Sequence, residues 1–499
     1  MYTGVQKSIW CGLLSEKKLR EIALHHTSLR KASVLILSVF YLLLHFIFEC
    51  FMIDMTIGKE GKHILKFALP MLAGNLFQQL YNIVDSIVVG NFIGKEALAA
   101  VGASFPVIFV LVSMIIGLAS GITIVISQYF GAKDYDSVRR AVDTMYITLF
   151  FASILTTLLG IIFSEDIFRL LNLPEEVMPI ALDYLNIYLL GMIGFFGFNG
   201  TSAILRGLGD SKTPLYFLII STITNIVLDL LFVIVFDMGV KGVALATVIS
   251  QGGAFLTAAL YLNKYHELIN ISFKKLVFDR LIFSQSYKIG LPTGLQQTFV
   301  ALGIMAIMGI VNSFGTDVIA AFSVASRLDA LATIPAMILA QALATFVGQN
   351  LGANKPERVR SGLWSAILIT TVVTISTTLI IIFFGSFFMD AFTNDAAIIR
   401  IGHEYLTIVS LFYMIFAVMF IFMGAMRGAG DTLIPMLITL LSLWLVRVPL
   451  AYILSDSMGS EVGIWWSFPI GWAVGLVLAA GYYKTGRWKK KVIIKHEQV

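Results

Sequence analysis

The sequence predicts an all-α integral membrane protein with twelve helices arranged as two six-helix repeats. Three observations support this prediction. Of the 499 residues, 58% are hydrophobic and only 13% are charged, against about 25% in soluble proteins. The apolar residues form long runs, and blocks of sequence recur at a constant spacing. A water-soluble core cannot hide so much apolar surface, and this composition also excludes disordered, collagen-like and coiled-coil proteins.

Twelve apolar runs follow one another from residue 64 onward, and each is long enough to cross a bilayer. We expect helices, because lipid offers no water to satisfy an open backbone and strands of a barrel would be shorter and alternating. The runs cover residues 64–90, 97–129, 142–163, 183–204, 214–236, 240–262, 286–313, 319–349, 362–388, 402–425, 434–454 and 463–483.

The loops between these runs alternate in charge. One set holds most of the basic residues, including Lys133, Arg139 and Arg360, whereas the alternate set is rich in acidic residues such as Glu165 and Asp395. The positive-inside rule assigns the basic loops to the cytoplasm. We therefore expect a multi-pass protein of the bacterial cytoplasmic membrane, with both ends of the twelve-helix unit inside the cell.

The first 58 residues do not fit this pattern. A further apolar run lies at 32–53, and a thirteenth span there would invert every other loop. Three explanations stay open: an interfacial segment, a cleaved leader, or a start codon placed too early, with Met52 or Met55 as the true start. We favour the early start codon.

An internal repeat emerges when the chain is aligned with itself at an offset of 221 residues. The following blocks then coincide: Gly94 with Gly315, Gln128 and Gly131 with Gln349 and Gly352, and the Arg-Gly-x-Gly-Asp turn at 206–210 with that at 427–431. Each half holds an even number of spans, so the halves are parallel repeats, a type of fold that commonly encloses a cavity.

The repeat defines the domain boundaries. We expect the segment of uncertain status at 1–58 to be followed by a first lobe at 59–262 and a cytoplasmic linker at 263–285. A second lobe at 286–485 and a basic tail at 486–499 complete the chain.

Polar side chains lie inside the apolar runs of the first lobe, where a charge costs about 2.5–3.5 kcal/mol. Asp85 lies late in the first span, and Asn225 and Asp229 share one face of the fifth. With Asn199 and Thr247 they form a candidate oxygen-rich cage for H⁺ or Na⁺. The alternative is bonding between helices, which we favour for Asn199 and Thr247 taken alone. The positions 221 residues later are apolar: Ala306, Phe420, Val446, Leu450 and Phe468.

We expect other polar residues and prolines in the spans to have structural roles or to line a cavity. We expect Arg447 to bond a carbonyl freed by Pro449 or to reach an interface. Pro70 permits bending of the opening helix, and Gln78 and Tyr81 either line a cavity or join helices. The paired turns are expected to be structural or to latch a gate through Arg206, Asp210, Arg427 and Asp431.

No enzyme motif is present in the sequence. It lacks a phosphate-binding loop, a metal-binding His pair and a serine nucleophile elbow, and its two cysteines, Cys11 and Cys50, indicate neither a metal site nor a disulfide. We expect no enzymatic activity, no cofactor and no nucleic-acid partner.

Taken together, these motifs resemble those of the multidrug and toxic compound extrusion (MATE) family over about residues 60–485. The resemblance rests on Leu69-Pro70, Tyr81-Asn-Ile-Val-Asp85, Gly90 through Ala100, Gly131, both Arg-Gly-x-Gly-Asp turns and Arg447-x-Pro449. It implies two six-helix lobes forming a V around a central cavity. It also implies a transporter that exports small organic cations or amphipathic drugs in exchange for H⁺ or Na⁺.

Within the family, the chain resembles the DNA-damage-inducible protein F-like branch. That resemblance places the coupling-cation site, including any Na⁺, at Asp85, Asn199, Asn225, Asp229 and Thr247. It places Pro70, Gln78 and Tyr81 on the bending helix and its cavity face. Another branch uses acidic residues of the second lobe, and Val300 at the corresponding position argues against it.

Two further hypotheses belong to other classes of function. A lipid-linked glycan or lipid flippase of the same superfamily would need a basic cavity, whereas Arg447 is the one intramembrane base found in the sequence. A membrane-embedded enzyme or sensor would need a reactive pair or an appended domain. The expected partners are small organic cations and the lipid bilayer, and we expect a monomer.

Overall fold

A computed structural model describes residues 52–266 and 276–494, and these residues form helices joined by short connections. The first lobe comprises α1 (Glu60–Val88), α2 (Lys95–Gly131), α3 (Tyr135–Leu170), α4 (Met178–Leu190), α5 (Met192–Gly207), α6 (Lys212–Leu230) and α7 (Gly239–Tyr265). The second comprises α8 (Arg280–Val311), α9 (Thr316–Gly352), α10 (Pro356–Asp390), α11 (Ala396–Ser410), α12 (Tyr413–Gly428), α13 (Leu433–Leu440), α14 (Val448–Met458) and α15 (Val462–Lys484). The apolar run predicted at 32–53 lies almost entirely outside the described residues.

The twelve predicted spans can be counted in the described part of the chain. Nine spans there are long, continuous and apolar. In one of these, α13 and α14 are joined through a π-helical turn at Leu441–Arg447. Two more are bent pairs: α4 with α5, at 51°, and α11 with α12, at 49°. The twelfth is α1, whose 29 residues extend about 43 Å, enough to cross the hydrocarbon layer.

Each lobe has its own hydrophobic core, but the opening helices exchange partners at one end. Ile64 and Phe67, early in α1, are buried in the core of the second lobe. Ile282 and Ile289, early in α8, are buried in the core of the first. The two lobes therefore interlock at the membrane face that carries the basic loops, which we call the basic face.

Glycines let α2 and α8 touch along the half of the membrane next to the basic face. A side chain at Gly117 or Gly121 would overlap the backbone of α8 near Gly290. Farther from that face, the Ser113 and Thr298 hydroxyls lie 3.1 Å apart and join the same two helices. The lobes are thus held together backbone to backbone from the basic face to about mid-membrane.

Candidate functional site: a carboxylate cluster, a cavity and an inter-lobe seal

A cluster of polar side chains lies in the first lobe, far from the basic face, where α1, α6 and α7 meet. Tyr81 and Asp85 are one turn apart on α1, and Asn225 and Asp229 are one turn apart on α6. The Tyr81 hydroxyl and the Thr247 Oγ1 of α7 are 2.9 Å apart. Asn225 and Asp229 are fully buried, and the Asp85 and Asp229 carboxyl groups lie close enough to interact directly.

Most of the polar atoms in this carboxylate cluster have no hydrogen-bond partner in the protein. The unpaired buried atoms are Asp85 Oδ1, both carboxylate oxygens of Asp229, and both polar atoms of the Asn225 amide. Buried polar groups are normally paired, and unpaired ones cost free energy. Two adjacent carboxylates also repel each other unless a proton or a cation neutralises one charge. The carboxylate and amide oxygens of this set fit H⁺ or a hard cation such as Na⁺.

Two tyrosines that the sequence analysis did not single out surround the cluster. Tyr184 and Tyr188 of α4 lie next to the carboxyl groups, with their rings 6.2 Å apart. They form an aromatic wall that strengthens electrostatic interactions by excluding water. A signal was available in the sequence, because Tyr184 recurs as Tyr405 at the repeat offset.

A cavity of about 230 Å³ lies nearer the basic face, between α1, α5, α6 and α9. Pro70, Gln78 and Asn199 line it, and the Asn199 amide donates a 2.8 Å hydrogen bond to the Phe195 carbonyl. Tyr81 is not among the lining residues and is 92% buried. The structure thus places Asn199, expected in the cation cage, on the cavity wall, and it gives Tyr81 the helix-joining role that was one of the two expected for it.

The four residues of the paired turns are used differently in the two lobes. Asp210 accepts hydrogen bonds from the backbone N–H groups of Lys212 and Thr213 at the start of α6, both at 3.0 Å. Burial raises the pKa of this carboxyl, an effect partly offset by those hydrogen bonds. In the second lobe, Asp431 instead accepts a 2.6 Å bond from the Tyr482 hydroxyl. Both acids therefore tie a turn to a helix.

The arginines of these turns also differ in their surroundings. Arg427 donates to the Gln296 side chain at 3.0 Å. The Nε atoms of both arginines are buried without a hydrogen-bond partner, but Arg206 lines the cavity. Arg206 is therefore a basic group of the cavity wall, which the sequence analysis assigned to the turn alone.

Arg447 does not bond the carbonyl freed by Pro449. Among the described residues its guanidinium makes no hydrogen bond to a backbone carbonyl; it lies over the Phe468 ring, 3.2 Å from the centroid. The expectation of a carbonyl bond is therefore wrong, and the contact is a cation–π interaction.

Residues related by the repeat close the basic face between the lobes. The Gln128 side chain donates to the Gly428 carbonyl at 3.1 Å, and the Gln349 side chain donates to the Gly207 carbonyl at 3.4 Å. Side chains at Gly131 and Gly352 would overlap the carbonyls of Gln349 and Gln128. We call these six residues the inter-lobe seal. It lies where the lobes would have to part to expose the cavity to the basic face.

Segments from both ends of the described chain complete the seal. The Met55 N–H donates to Gln349 Oε1 at 3.0 Å, and the Ile493 N–H donates to Gln128 Oε1 at 2.8 Å. Arg358 holds the first segment in place through the Gly58 carbonyl at 2.9 Å and an ion pair with Glu60 at 3.1 Å. Each seal glutamine therefore uses both its amide nitrogen and its amide oxygen across a boundary between lobes or segments.

Comparison with known proteins agrees with this architecture. The profile of the MatE family matches residues 70–231 and 292–453, one match in each lobe. Two relatives from Bacillus subtilis (strain 168) are each 33% identical. The probable multidrug resistance protein YpnP aligns over 87% of this chain and 97% of its own length, and the probable multidrug resistance protein YoeA over 86% and 94%.

A solved structure with the same fold has a TM-score of 0.82 and 24% sequence identity, and the match covers 88% of this chain and 99% of the other. That structure is of a multidrug resistance MATE family transporter of the MOP superfamily in an outward-facing conformation. The chain, with a family match in each of its two lobes, belongs to the MatE family.

Proposed function

We propose that this protein is a secondary active exporter of cationic and amphipathic drugs, which it exchanges for H⁺ or Na⁺ across the bacterial cytoplasmic membrane. The relatives named as multidrug resistance proteins support drug export. The observation that supports cation coupling is the group of unpaired oxygens on Asp85, Asn225 and Asp229. A bound proton or Na⁺ would satisfy these buried groups and remove the repulsion between the two carboxylates.

Helix α1 provides a physical connection between the cluster and the cavity. Asp85 lies 15 residues after Pro70, which places these two residues about 22 Å apart along one helix, with the cavity-lining Gln78 between them. Two unit charges 4 Å apart repel by about 4 kcal/mol at an effective dielectric constant of 20. Neutralising one carboxylate would draw α1 and α6 together, and Pro70 lets the helix respond by bending next to the cavity.

Export also requires that the inter-lobe seal open during the transport cycle. The lobes touch near the basic face, so a drug arriving from that side reaches the cavity after the seal opens. A cation moving down its concentration gradient supplies the energy, since each tenfold ratio of its concentrations across the membrane contributes about 1.4 kcal/mol. We therefore infer alternating access, in which cation binding at the cluster and drug binding in the cavity exclude each other through α1.

Uptake of a fluorescent organic cation into inverted membrane vesicles, whose cytoplasmic face is outside, tests this function. An imposed pH or Na⁺ gradient should drive transport by the wild type, and the gradient that works identifies the ion. Asp229→Asn should abolish the dependence on that gradient at equal expression. Asp237→Asn is the matched control, because this acid is exposed at the turn between α6 and α7.

The outcomes separate the function from the site. Absence of transport by the wild type under both gradients would contradict drug–cation exchange itself. Gradient-driven transport by Asp229→Asn at the wild-type rate would leave the exporter function intact and would refute the assignment of the coupling site.

A further inference from the structure

The second lobe contains a charged cluster of its own, at the level of its aromatic core. Asp329 of α9 accepts a 2.7 Å hydrogen bond from the Tyr413 hydroxyl of α12, and Tyr405 of α11 lies next to the same carboxyl group. Arg447, at the end of the π-helical turn, places its guanidinium carbon 3.2 Å from the centre of the Phe468 ring. Five separate elements thus converge on one acid and one base.

The acid and the base are close without forming a contact ion pair. Arg447 and Asp329 influence each other electrostatically, but they do not form an ion pair within 4.0 Å in the described part of the protein. The Arg447 Nε is buried and unpaired. A side chain at Gly471 would lie 3.0 Å from the Arg447 Cβ, so the α15 backbone closes tightly over the arginine stem. The guanidinium is therefore confined to this site.

Aromatic rings pack around the pair. Tyr405 packs edge-on against Trp465 at 4.9 Å and against Phe468 at 5.6 Å. The titratable groups around the Asp329 carboxyl are Tyr405 from α11, Tyr413 from α12 and Arg447 from the π-helical turn. The element α15 contributes the rings of Trp465 and Phe468. In such surroundings a carboxylate without a nearby cation would be costly.

The repeat shows that this cluster occupies the place of the carboxylate cluster in the first lobe. Tyr405 corresponds to Tyr184, and Phe468 corresponds to Thr247, the α7 member of the carboxylate cluster. Arg447 corresponds to Ile226, the residue after Asn225. The same region of each lobe therefore holds charged side chains within its helices. Among the described residues that act electrostatically on these acids, the first-lobe cluster has two carboxylates and no base, and the second-lobe cluster has one carboxylate and one guanidinium.

We propose that Asp329 and Arg447 form a second charge site, in which the guanidinium permanently occupies the role that an exchangeable cation has in the first lobe. The residues that make up this site are identified by the geometry alone. The statement that the guanidinium takes the role of a coupling cation rests on the proposed function. With a cation supplied by its own side chain, the second lobe stays balanced in charge throughout the cycle. The first lobe is then the one that responds to H⁺ or Na⁺, and Arg447 is a positioning residue that acts through Asp329.

Thermal unfolding of the purified full-length protein at two pH values tests this site without any transport measurement. Arg447→Met leaves the Asp329 carboxylate without its cation, so the variant should be stable when the carboxyl is protonated and should lose stability as the pH rises. Raising the pH from 5.5 to 8.5 should therefore lower the apparent Tm of Arg447→Met. We expect this decrease to exceed that of the wild type by about 4 °C. Arg447→Lys, which keeps a cation, should restore the wild-type difference.

Removing the acid should cancel the effect of removing the base. The double variant Asp329→Asn/Arg447→Met should show the wild-type difference between the two pH values. Arg400→Met, at an exposed arginine on the same helix as Tyr405, is the control for loss of a surface charge. A wild-type pH response in Arg447→Met would overturn the proposal, as would a double variant that keeps the response of the single one.

A folding failure would also be informative. If Arg447→Met yields no monodisperse protein, the double variant should recover it, because both charges are then gone. A double variant that is no better than the single one would overturn the proposal. These outcomes are independent of the first lobe, since the efflux test of Asp229→Asn can fail while the pH response of Arg447→Met is still observed.

Discussion

Replacing Gly131 with alanine should open the inter-lobe seal. The added Cβ would overlap the Gln349 carbonyl, so α2 and α9 must separate there by more than about 1 Å. Overpacking of this kind costs about 1–3 kcal/mol. Since about 1.4 kcal/mol changes an equilibrium tenfold, the ratio of sealed to open protein should fall about 5- to 150-fold.

The separation of the lobes at the basic face can be measured by double electron–electron resonance. Spin labels at Arg139 of α3 and Arg360 of α10 suit this purpose, because both positions are exposed and the repeat relates them. The native Cys11 and Cys50 are first replaced with serine. In Gly131→Ala we expect a second, longer distance population that is weak in the parent protein.

The matched control for this prediction lies on the same helix. A side chain at Gly102 of α2 would meet no atom within 4 Å, so Gly102→Ala should leave the distance distribution unchanged. If Gly131→Ala gives the parent distribution, the close approach of the lobes at Gly131 does not limit opening, and the reasoning is refuted.

Three further predictions follow from individual contacts. Replacing both Gln128 and Gln349 with alanine removes four hydrogen bonds worth about 1 kcal/mol each, two of which join the lobes, so the same spin-label pair should report more open protein; an unchanged distribution would contradict this. Tyr81→Phe removes the hydroxyl next to Thr247 and should raise the concentration of coupling cation needed for half-maximal efflux about 3- to 10-fold. An unaltered cation dependence would show that the hydroxyl is not needed. Arg358→Ala frees the Gly58 carbonyl, so limited trypsin digestion at nearby Lys59 should be several-fold faster than in the wild type, and equal rates would count against the role of Arg358.

Much of the fold follows from sequence because membrane helices obey simple length and charge rules. The apolar runs predict the spans, and the offset of 221 residues predicts two equivalent lobes. The helical period also places Asn225 and Asp229 on one face of α6. What the period does not reveal is which other helix that face meets. For this reason the sequence does not separate the two roles open to Tyr81, and it groups Asn199 with the carboxylates although Asn199 lines the cavity.

Residues at helix crossings were harder to interpret. The recurrence of Gln128 and Gly131 as Gln349 and Gly352 was visible, but a repeated residue does not show that it contacts the other copy of itself. Asp329 was overlooked although it lies inside an apolar run, and the same criterion that identified Asp85 would have identified it. The repeat offset does not reveal Asp329, because the second lobe carries this acid on α9, whereas the acids of the first lobe lie on α1 and α6.

The most direct test of the central claim is to count the cations displaced when drug binds to the purified protein. Protons released into a weakly buffered solution, or ²²Na⁺ displaced, would be measured on adding a fluorescent organic cation to the wild type, Asp229→Asn and Asp237→Asn. We expect about one ion released per drug bound by the wild type and by Asp237→Asn, and none by Asp229→Asn. One cation is enough to remove the repulsion between the two carboxylates of the cluster. Equal release by Asp229→Asn and the wild type would contradict the claim that the carboxylate cluster holds the coupling cation.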